Sequence, residues 1–321
     1  MKKKEITHVC MVETVYTLFL YLILVKEEDF NHTFFFCSDA LPELVRCKLP
    51  HHHCFKLPKR RWHRWLFRIW LYYTAPLRFP FIKQSHIYGS DNYLFSSGIA
   101  RSYDLILVED GLSNYSLIQV NSLLYKPRRI LMGQIAAEGC GGVSPTVKKI
   151  MLTGLLPVPA LIQDKTEIFS VINKWNRLSS SYRTRILSLF DCLAEELEEI
   201  SSYQDILFTQ PMVEDGLITL EDELNLYRTL LAGCNQSKLL IKVHPRDTLD
   251  YSKFFPEAKV WRSLVPMELI SLLGIQFQEV YTVFSTAALS LPYKTHIHFM
   301  GTSVHSNLLR MRGLIEYSDS E

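Results

Sequence analysis

A carboxylate pair, an imidazole and two hydroxyls occur in a fixed order along the chain, as Glu109-Asp110-Gly111, His244-Pro245 and Ser285-Thr286. Each follows an apolar run that reads as a buried strand: Tyr103 to Val108, Leu239 to Val243 and Glu279 to Phe284. Each motif is therefore expected at a strand's C-terminal end, the edge where open α/β sheets bind their ligands. A carboxylate there can accept a proton, and an imidazole can hand a proton or a hydrogen bond to a leaving phosphate. Hydroxyls at a helix start, with free backbone N–H groups, bind phosphate. The combination points to group transfer.

Each motif also has a plainer reading. From local sequence alone His244 reads more simply as a loop histidine bonded to backbone; Lys242 and Arg246 nearby belong to the phosphate reading. Ser285 can cap the helix expected from Ser285 to Leu291, and capping does not exclude phosphate binding. Asp-Gly is an ordinary turn pair, and a second copy occurs at Glu214-Asp215-Gly216. Glu268, expected in a first helical turn, either accepts from a ribose diol or complements the helix dipole.

The elements that must position these residues alternate strand and helix. The first half reads as a strand at Ile6 to Val12, a helix at Thr14 to Glu27, a strand at Thr33 to Cys37 and a helix through Trp62 to Tyr73. A short strand near His86 to Tyr88 precedes the Tyr103 to Val108 run. Such βαβ punctuation implies a parallel sheet with crossover helices. The second half repeats it, with helices at Lys165 to Trp175 and Tyr182 to Ile200 and a first strand at Asp205 to Thr209. Leu155 to Pro159 carries two prolines and reads as the linker, so the expected domains are 1–156 and 157–321.

The 321 residues suit two domains, and 48% hydrophobic with 21% charged residues is a globular balance. Seven scattered cysteines without a CxxC pair indicate reduced thiols, and His51-His52-His53-Cys54 reads as a polar loop without a full metal-ligand set. The apolar run from Thr14 to Val25 is too short to span a bilayer, which needs about 20 residues, and a cytoplasmic location is expected.

Net charge is only +2, but no Asp or Glu occurs between Glu43 and Asp91. Within that stretch Arg60, Arg61, Arg64 and Arg68 alternate with Trp62, Trp65, Phe67 and Trp70. At helical spacing, 62, 65, 66, 69 and 70 form an apolar face and 60, 64 and 68 a basic stripe. That pattern suits contact with an anionic membrane surface, or a core helix with a solvated basic rim. Nucleic acid fits less well, because the other half of the chain is not basic.

Taken together, the motifs resemble those of bacterial sialyltransferases, and in detail those of glycosyltransferase family 52, the lipooligosaccharide and capsule sialyltransferases. The matching stretches are Cys10 to Leu18, Val108 to Gly111, Thr209 to Pro211, Val243 to Arg246, Val265 to Glu268 and Thr282 to Leu289. The resemblance implies a GT-B fold: two Rossmann-like doubly wound α/β domains facing across a cleft, acceptor side first, with the last helix free to pack back on the N-terminal domain. It implies inverting transfer from CMP-sialic acid to a terminal galactose-type sugar of a bacterial surface glycan, without metal or cofactor. His244 and Pro245 would meet the CMP phosphate with Ser285 and Thr286, Gln210 and Pro211 would line the cytidine, and Glu268 would hold the ribose.

One position departs from the family pattern, because Met212 stands where some members keep an acid after the proline. The base is then Asp110, with Glu109 beside it, or Asp215. Alternatives are a GT-B enzyme using a UDP-hexose and a non-catalytic membrane-associated scaffold of capsule assembly. A peripheral place on the inner membrane face and a homodimer complete the expectations.

Overall fold

The computed structural model describes residues 5–101, 103–111, 114–115, 118–119, 125–289, 291 and 295–317, without the side chains of 118, 119 and 286. The chain divides into two compact units, 1–189 and 190–321.

In the first unit the strands are β1 (His8–Val12), β2 (Thr33–Ser38), β3 (His52–Phe55), β4 (His86–Gly89) and β5 (Leu105–Val108). A short antiparallel ribbon of β6 (Ile118–Gln119) and β7 (Gly139–Cys140) follows, then β8 (Val147–Leu152) and β9 (Thr166–Ile168). Seven of them form one parallel sheet in the order β3-β2-β1-β4-β5-β8-β9. Strands buried on both faces must be apolar at nearly every position, which is why β1 (HVCMV) and β5 (LILV) read as continuous runs.

The helix Val15–Leu24 begins at Thr14, whose hydroxyl accepts from the Thr17 N–H, and Thr17 to Ile23 are all buried. That burial accounts for the long apolar run without a membrane. Among the described residues no helix is long and apolar enough to cross one. At the end of β4, Gly89 has φ +131, and a Cβ there would lie 2.2 Å from the Met11 carbonyl oxygen, so only glycine lets β4 lie against β1.

The second unit holds β10 (Asp205–Phe208), β11 (Leu239–Lys242), β12 (Lys259–Trp261), β13 (Glu279–Thr282) and β14 (His296–Phe299), all parallel in the order β12-β11-β10-β13-β14. Leu207, Leu239, Ile241, Tyr227, Tyr251 and Val283 share one core there. In both sheets the strand order reverses beside the first strand, at β1/β4 and at β10/β13. Those are the switch points where doubly wound sheets open a crevice.

Four expectations are corrected. The unit boundary falls at 189/190 rather than 156/157, because Leu155 to Pro159 is a crossover within the first sheet: β8 and β9 flank it and pair with Ile150 opposite Thr166. The helix expected over Tyr182 to Ile200 is two helices, Ser180–Leu189 and Ala194–Ile200, with Asp191 at φ +53 between them. The first stays with unit 1, where the Tyr182 hydroxyl donates to the Leu22 carbonyl. The histidine tract enters an edge strand, β3, rather than a polar loop. Among the described residues a 3₁₀ turn, Thr286–Ala288, stands where the helix from Ser285 was expected.

Candidate active site

In the first unit the Glu109-Asp110-Gly111 turn does leave the C-terminal end of β5, and Gly111 takes φ +76 to make it. The two carboxylates have different environments. Glu109 is 0% exposed. Its oxygens accept from the Tyr16 hydroxyl at 2.5 Å, the Tyr115 hydroxyl at 2.9 Å, and the Thr153 N–H at 2.6 Å and hydroxyl at 3.0 Å. A carboxylate so enclosed ties β5 to the first helix and to the end of β8. Of the two acids Asp110 is the more open.

Asp110 is half-buried at the sheet edge. Its Oδ1 lies 2.7 Å from the Thr17 hydroxyl and 3.1 Å from that of Thr14, and its backbone N–H donates to Asn114 at 2.5 Å. Burial pushes its pKa up, while hydrogen bonds from Thr17, Tyr93 and Thr14 oppose the shift. A carboxylate held by hydroxyls at a ligand-binding edge, more basic than in water, can take a proton.

Glu13 is the residue that sequence reasoning missed. It follows β1 directly, and its Oε1 is buried without a hydrogen-bond partner among the described residues. Its pKa is raised to about 7, first by burial and then by the charges of Asp110 and Asp39, against a Ser38 hydrogen bond and Arg64. Its place after the first strand of a doubly wound sheet was the available signal. The motif search passed over it because it only interrupts an apolar run.

In the second unit His244, Gln210 and Ser285 leave the ends of β11, β10 and β13, three neighbouring strands. Hydrogen bonds lace these ends together. The His244 N–H donates to the Thr209 hydroxyl at 3.1 Å, and the Phe284 N–H donates to Gln210 Oε1 at 3.2 Å across the β10/β13 switch point. The Gln210 N–H in turn meets the Tyr227 hydroxyl at 2.9 Å.

The His244 ring accepts the Arg246 backbone N–H at Nδ1, 3.1 Å away, so the neutral ring carries its proton on Nε2. Burial, then the Arg246 charge, draws its pKa down to about 4. At neutral pH this is an uncharged Nε2–H donor.

Behind the loop sits a buried network that the sequence did not reveal. Asp247, 2% exposed, accepts from Thr209 at 2.5 Å, from the Tyr251 hydroxyl at 2.8 Å and from the Leu249 N–H at 3.0 Å. Glu223 Oε1 lies 2.9 Å from the same Tyr251 oxygen, whose single proton goes to one acid, so the other must be protonated to donate to that oxygen; Glu223 also accepts the Val213 N–H at 3.2 Å, and burial raises its pKa to about 7.

The remaining residues fall as follows. Pro211 is buried beside Gln210, Pro245 is exposed, and Met212 is fully buried in the core, where an acid would have no solvent. Asp215 is no open base: Oδ1 meets Arg246 at 2.6 Å, and Oδ2 meets Arg312 at 2.7 Å and Arg246 at 3.3 Å. Arg312 ends the last described helix, Ser306–Arg312, whose Leu308 packs in the second unit's core. Glu268 is buried in the first turn of Met267–Leu272, within reach of the Lys242 charge. Lys242 itself points to the Ser263 carbonyl at 3.1 Å and over the Trp261 ring, so it does not join His244. The Ser285 N–H is taken by the Thr282 hydroxyl at 2.9 Å, and the side chain of Thr286 lies outside the described residues.

The helix Arg61–Arg78 also departs from expectation. Its core face is Leu71 and Ala75, with Phe67 alongside, and Arg68 lines a cavity on that side rather than the surface. Arg60, Arg61 and Arg64 are exposed, and Trp65 is half-buried near Arg128. The exposed apolar residues are Trp62, Leu66, Trp70, Tyr73 and Leu77, which fall on one side at about 100° per residue.

Metal ligation has one candidate among the described residues: Glu279, His296 and His298, whose ligand atoms lie within 4.8 Å of one another. Glu279 and His296 begin their strands, so the group lies at the end of the sheet opposite His244.

Two doubly wound parallel sheets in one chain, with ionisable and hydroxyl groups at strand C-termini, are the architecture of the GT-B fold. Solved structures share the fold. An alpha/beta-galactoside alpha-2,3-sialyltransferase of Photobacterium phosphoreum matches with TM-score 0.54 and 11% identity, covering 92% of this chain and 90% of its own. The GT-B domain of a Photobacterium damselae sialyltransferase matches with TM-score 0.54 and 14% identity, covering 95% of each chain. A 2,6-sialyltransferase of Photobacterium sp. JT-ISH-224, solved with CMP and lactose, matches with TM-score 0.55 and 12% identity, covering 94% of this chain and 75% of its own. In sequence, an uncharacterized protein of Haemophilus influenzae is 33% identical over 236 residues, 74% of each chain. The model of glycosyltransferase family 52 matches residues 82–308, and the chain belongs to that family. It is a glycosyltransferase.

Proposed function

We propose that this enzyme is an inverting, metal-independent sialyltransferase that moves sialic acid from CMP-sialic acid to a terminal galactose-type sugar of a bacterial surface glycan. The observation that carries the reading is the uncharged His244, its Nε2–H left as donor by the Arg246 N–H on Nδ1, at a strand end tied to Thr209, whose neighbour Gln210 accepts from Phe284. Family membership and the fold shared with a sialyltransferase solved with CMP and lactose support the donor assignment.

The first unit activates the acceptor and the second holds the donor. As the acceptor hydroxyl attacks the anomeric carbon, its proton passes to Asp110 and the new C–O bond forms. The bond from that carbon to the phosphate oxygen breaks, and the electron pair leaves with CMP. One displacement inverts the centre. The growing negative charge on the phosphate meets the His244 Nε2–H and the Ser285 hydroxyl, and preorganised donors of this kind commonly supply most of an enzyme's rate enhancement. Gln210 and Pro211 flank the cytidine, and Glu268 the ribose. The exposed stripe Trp62, Leu66, Trp70, Tyr73 and Leu77 seats the enzyme on an anionic membrane surface, and Arg60, Arg61 and Arg64, on other sides of the same helix near its start, attract that surface at longer range.

The test is nucleotide release from CMP-sialic acid and, in parallel, from UDP-hexoses, each with and without a chelator. Release of CMP alone, indifferent to the chelator, is expected. Release of UDP in place of CMP replaces the donor, and loss of activity on chelation, restored by a divalent ion, removes the metal-free mechanism.

A further inference from the structure

A cavity of about 100 Å³ is lined by Arg68 of the helix Arg61–Arg78, Arg128 of the helix Tyr125–Met132, Cys140 of β7, and Asp91, Tyr93 and Ser97 among others. Three of its polar atoms lack partners. Arg68 Nε, Arg128 Nε and Ser97 Oγ are each shielded from solvent with no hydrogen-bond partner among the described residues, and Ser97 is only 4% exposed. The acid on the wall does not supply one. Asp91 commits its two oxygens to the backbone N–H groups of Gly141 at 3.0 Å and Gly142 at 2.8 Å.

Shielded guanidinium donors without an acceptor are costly, because desolvation is incurred and no hydrogen bond offsets it. Burial and the neighbouring charges of Arg64 and Arg128 also hold the Arg68 pKa below its ordinary value. An anion in the cavity reverses both penalties. Two guanidiniums and a hydroxyl present several donors at once, which a phosphate's oxygens satisfy more fully than a carboxylate's two. The volume suits a small group, since a water's share of the liquid is about 30 Å³.

The cavity also lies where a substrate would be. Asp91 and Tyr93 follow β4 at the β1/β4 switch point, and the Tyr93 hydroxyl lies 3.4 Å from Thr17 and bonds Asp110. We propose that this cavity is a phosphate subsite, in which Arg68, Arg128 and Ser97 grip a phosphate group carried by the acceptor whose hydroxyl Asp110 activates. The acceptor assignment rests on the transferase reading; the anion site itself does not. A lipid headgroup is the less suitable source, because Arg68 projects from the side of its helix away from the Trp62, Leu66 and Trp70 stripe.

The test titrates the full chain with inorganic phosphate by calorimetry. Arg68→Gln and Arg128→Gln should each weaken binding about tenfold or more, the loss of a charge-assisted hydrogen bond. Ser97→Ala should weaken it less, and Lys126→Gln, an exposed cation on the Arg128 helix, should leave it unchanged. His244→Ala should also retain it, which separates this site from the donor phosphate site. No heat at millimolar phosphate, or a titration indifferent to both arginine substitutions, overturns the subsite. Capture by phosphatidic acid vesicles over phosphatidylcholine vesicles, lost with both arginine variants, makes a headgroup the occupant and overturns the acceptor assignment. CMP release is measured on the same variants: its persistence while phosphate binding is lost shows that the two proposals stand or fall separately.

Discussion

The hydroxyl of Thr209 donates to the Asp247 carboxylate at 2.5 Å and accepts the backbone N–H of His244 at 3.1 Å. The imidazole loop therefore hangs from a buried acid through one hydroxyl. Thr209→Val keeps the shape but removes both bonds and leaves Asp247 short of a donor, at a cost of about 1.5–3 kcal/mol of stability for a hydrogen bond to a charged group. Turnover should fall with it, and Thr209→Ser, which restores the hydroxyl, should recover both. Thermal melts and single-turnover rates check this; wild-type turnover in Thr209→Val would show that the tether does not position the imidazole.

His244→Ala should lower turnover by roughly a hundredfold or more with the fold intact, the usual contribution of a positioned donor or acid. Donor binding should weaken less than turnover, because the interaction strengthens as charge moves onto the phosphate. Comparing kcat with KM for CMP-sialic acid decides this. A change confined to KM would make His244 a ground-state contact only.

The same histidine gives a pH signature. Its pKa falls from 6.5 unfolded to about 4 folded, so between those values the unfolded chain binds more protons, and stability drops as pH falls through that window. Glu223 slopes the other way: raised from 4.5 to about 7, it costs stability as pH rises through that interval. His244→Ala should therefore flatten the acid side of a stability profile, and Glu223→Gln should gain most relative to wild type above pH 7. Denaturant midpoints across pH measure both. Parallel profiles for wild type and His244→Ala would mean that the ring is not desolvated.

The sheets were legible because strands buried on both faces leave apolar runs, and the ends of those runs marked His244, Ser285 and the Glu109-Asp110 turn. The tertiary network was not. Thr209 meets Asp247 across 38 positions and Tyr251 meets Glu223 across 28, and neither pair leaves a local spacing. Prolines misled at Leu155 to Pro159, because a crossover between parallel strands tolerates them as readily as a linker does. The Arg61–Arg78 helix misled because apolar residues lie around most of its circumference. Only packing decided that Leu71 and Ala75 face the core while Trp62 and Trp70 face out.

Asp110→Asn should remove transfer by about a hundredfold or more, while slow hydrolysis of the donor persists, since water attack depends less on a base aimed at a sugar hydroxyl. Asp110→Asn also tests the coupling of the two acids. The Asp110 charge helps hold the Glu13 pKa at about 7, so without it Glu13 should titrate at lower pH. An unmoved Glu13 titration, followed by carbonyl-labelled NMR, would show that the two acids do not sense each other.

The stripe on Arg61–Arg78 carries a prediction independent of catalysis. Trp62, Leu66 and Trp70 are 57%, 54% and 46% exposed, a large apolar area for a surface helix, and Arg60, Arg61 and Arg64, at the start of the same helix but turned away from that stripe, add positive charge that acts at longer range. Apolar insertion and electrostatic attraction should act together, so binding to anionic vesicles should weaken with salt without vanishing. Replacing Trp62 and Trp70 with serine should abolish sedimentation with those vesicles and leave transfer to a soluble acceptor unchanged. Sedimentation that survives the double substitution would assign the contact to another surface, and transfer lost along with it would make the stripe part of the acceptor site.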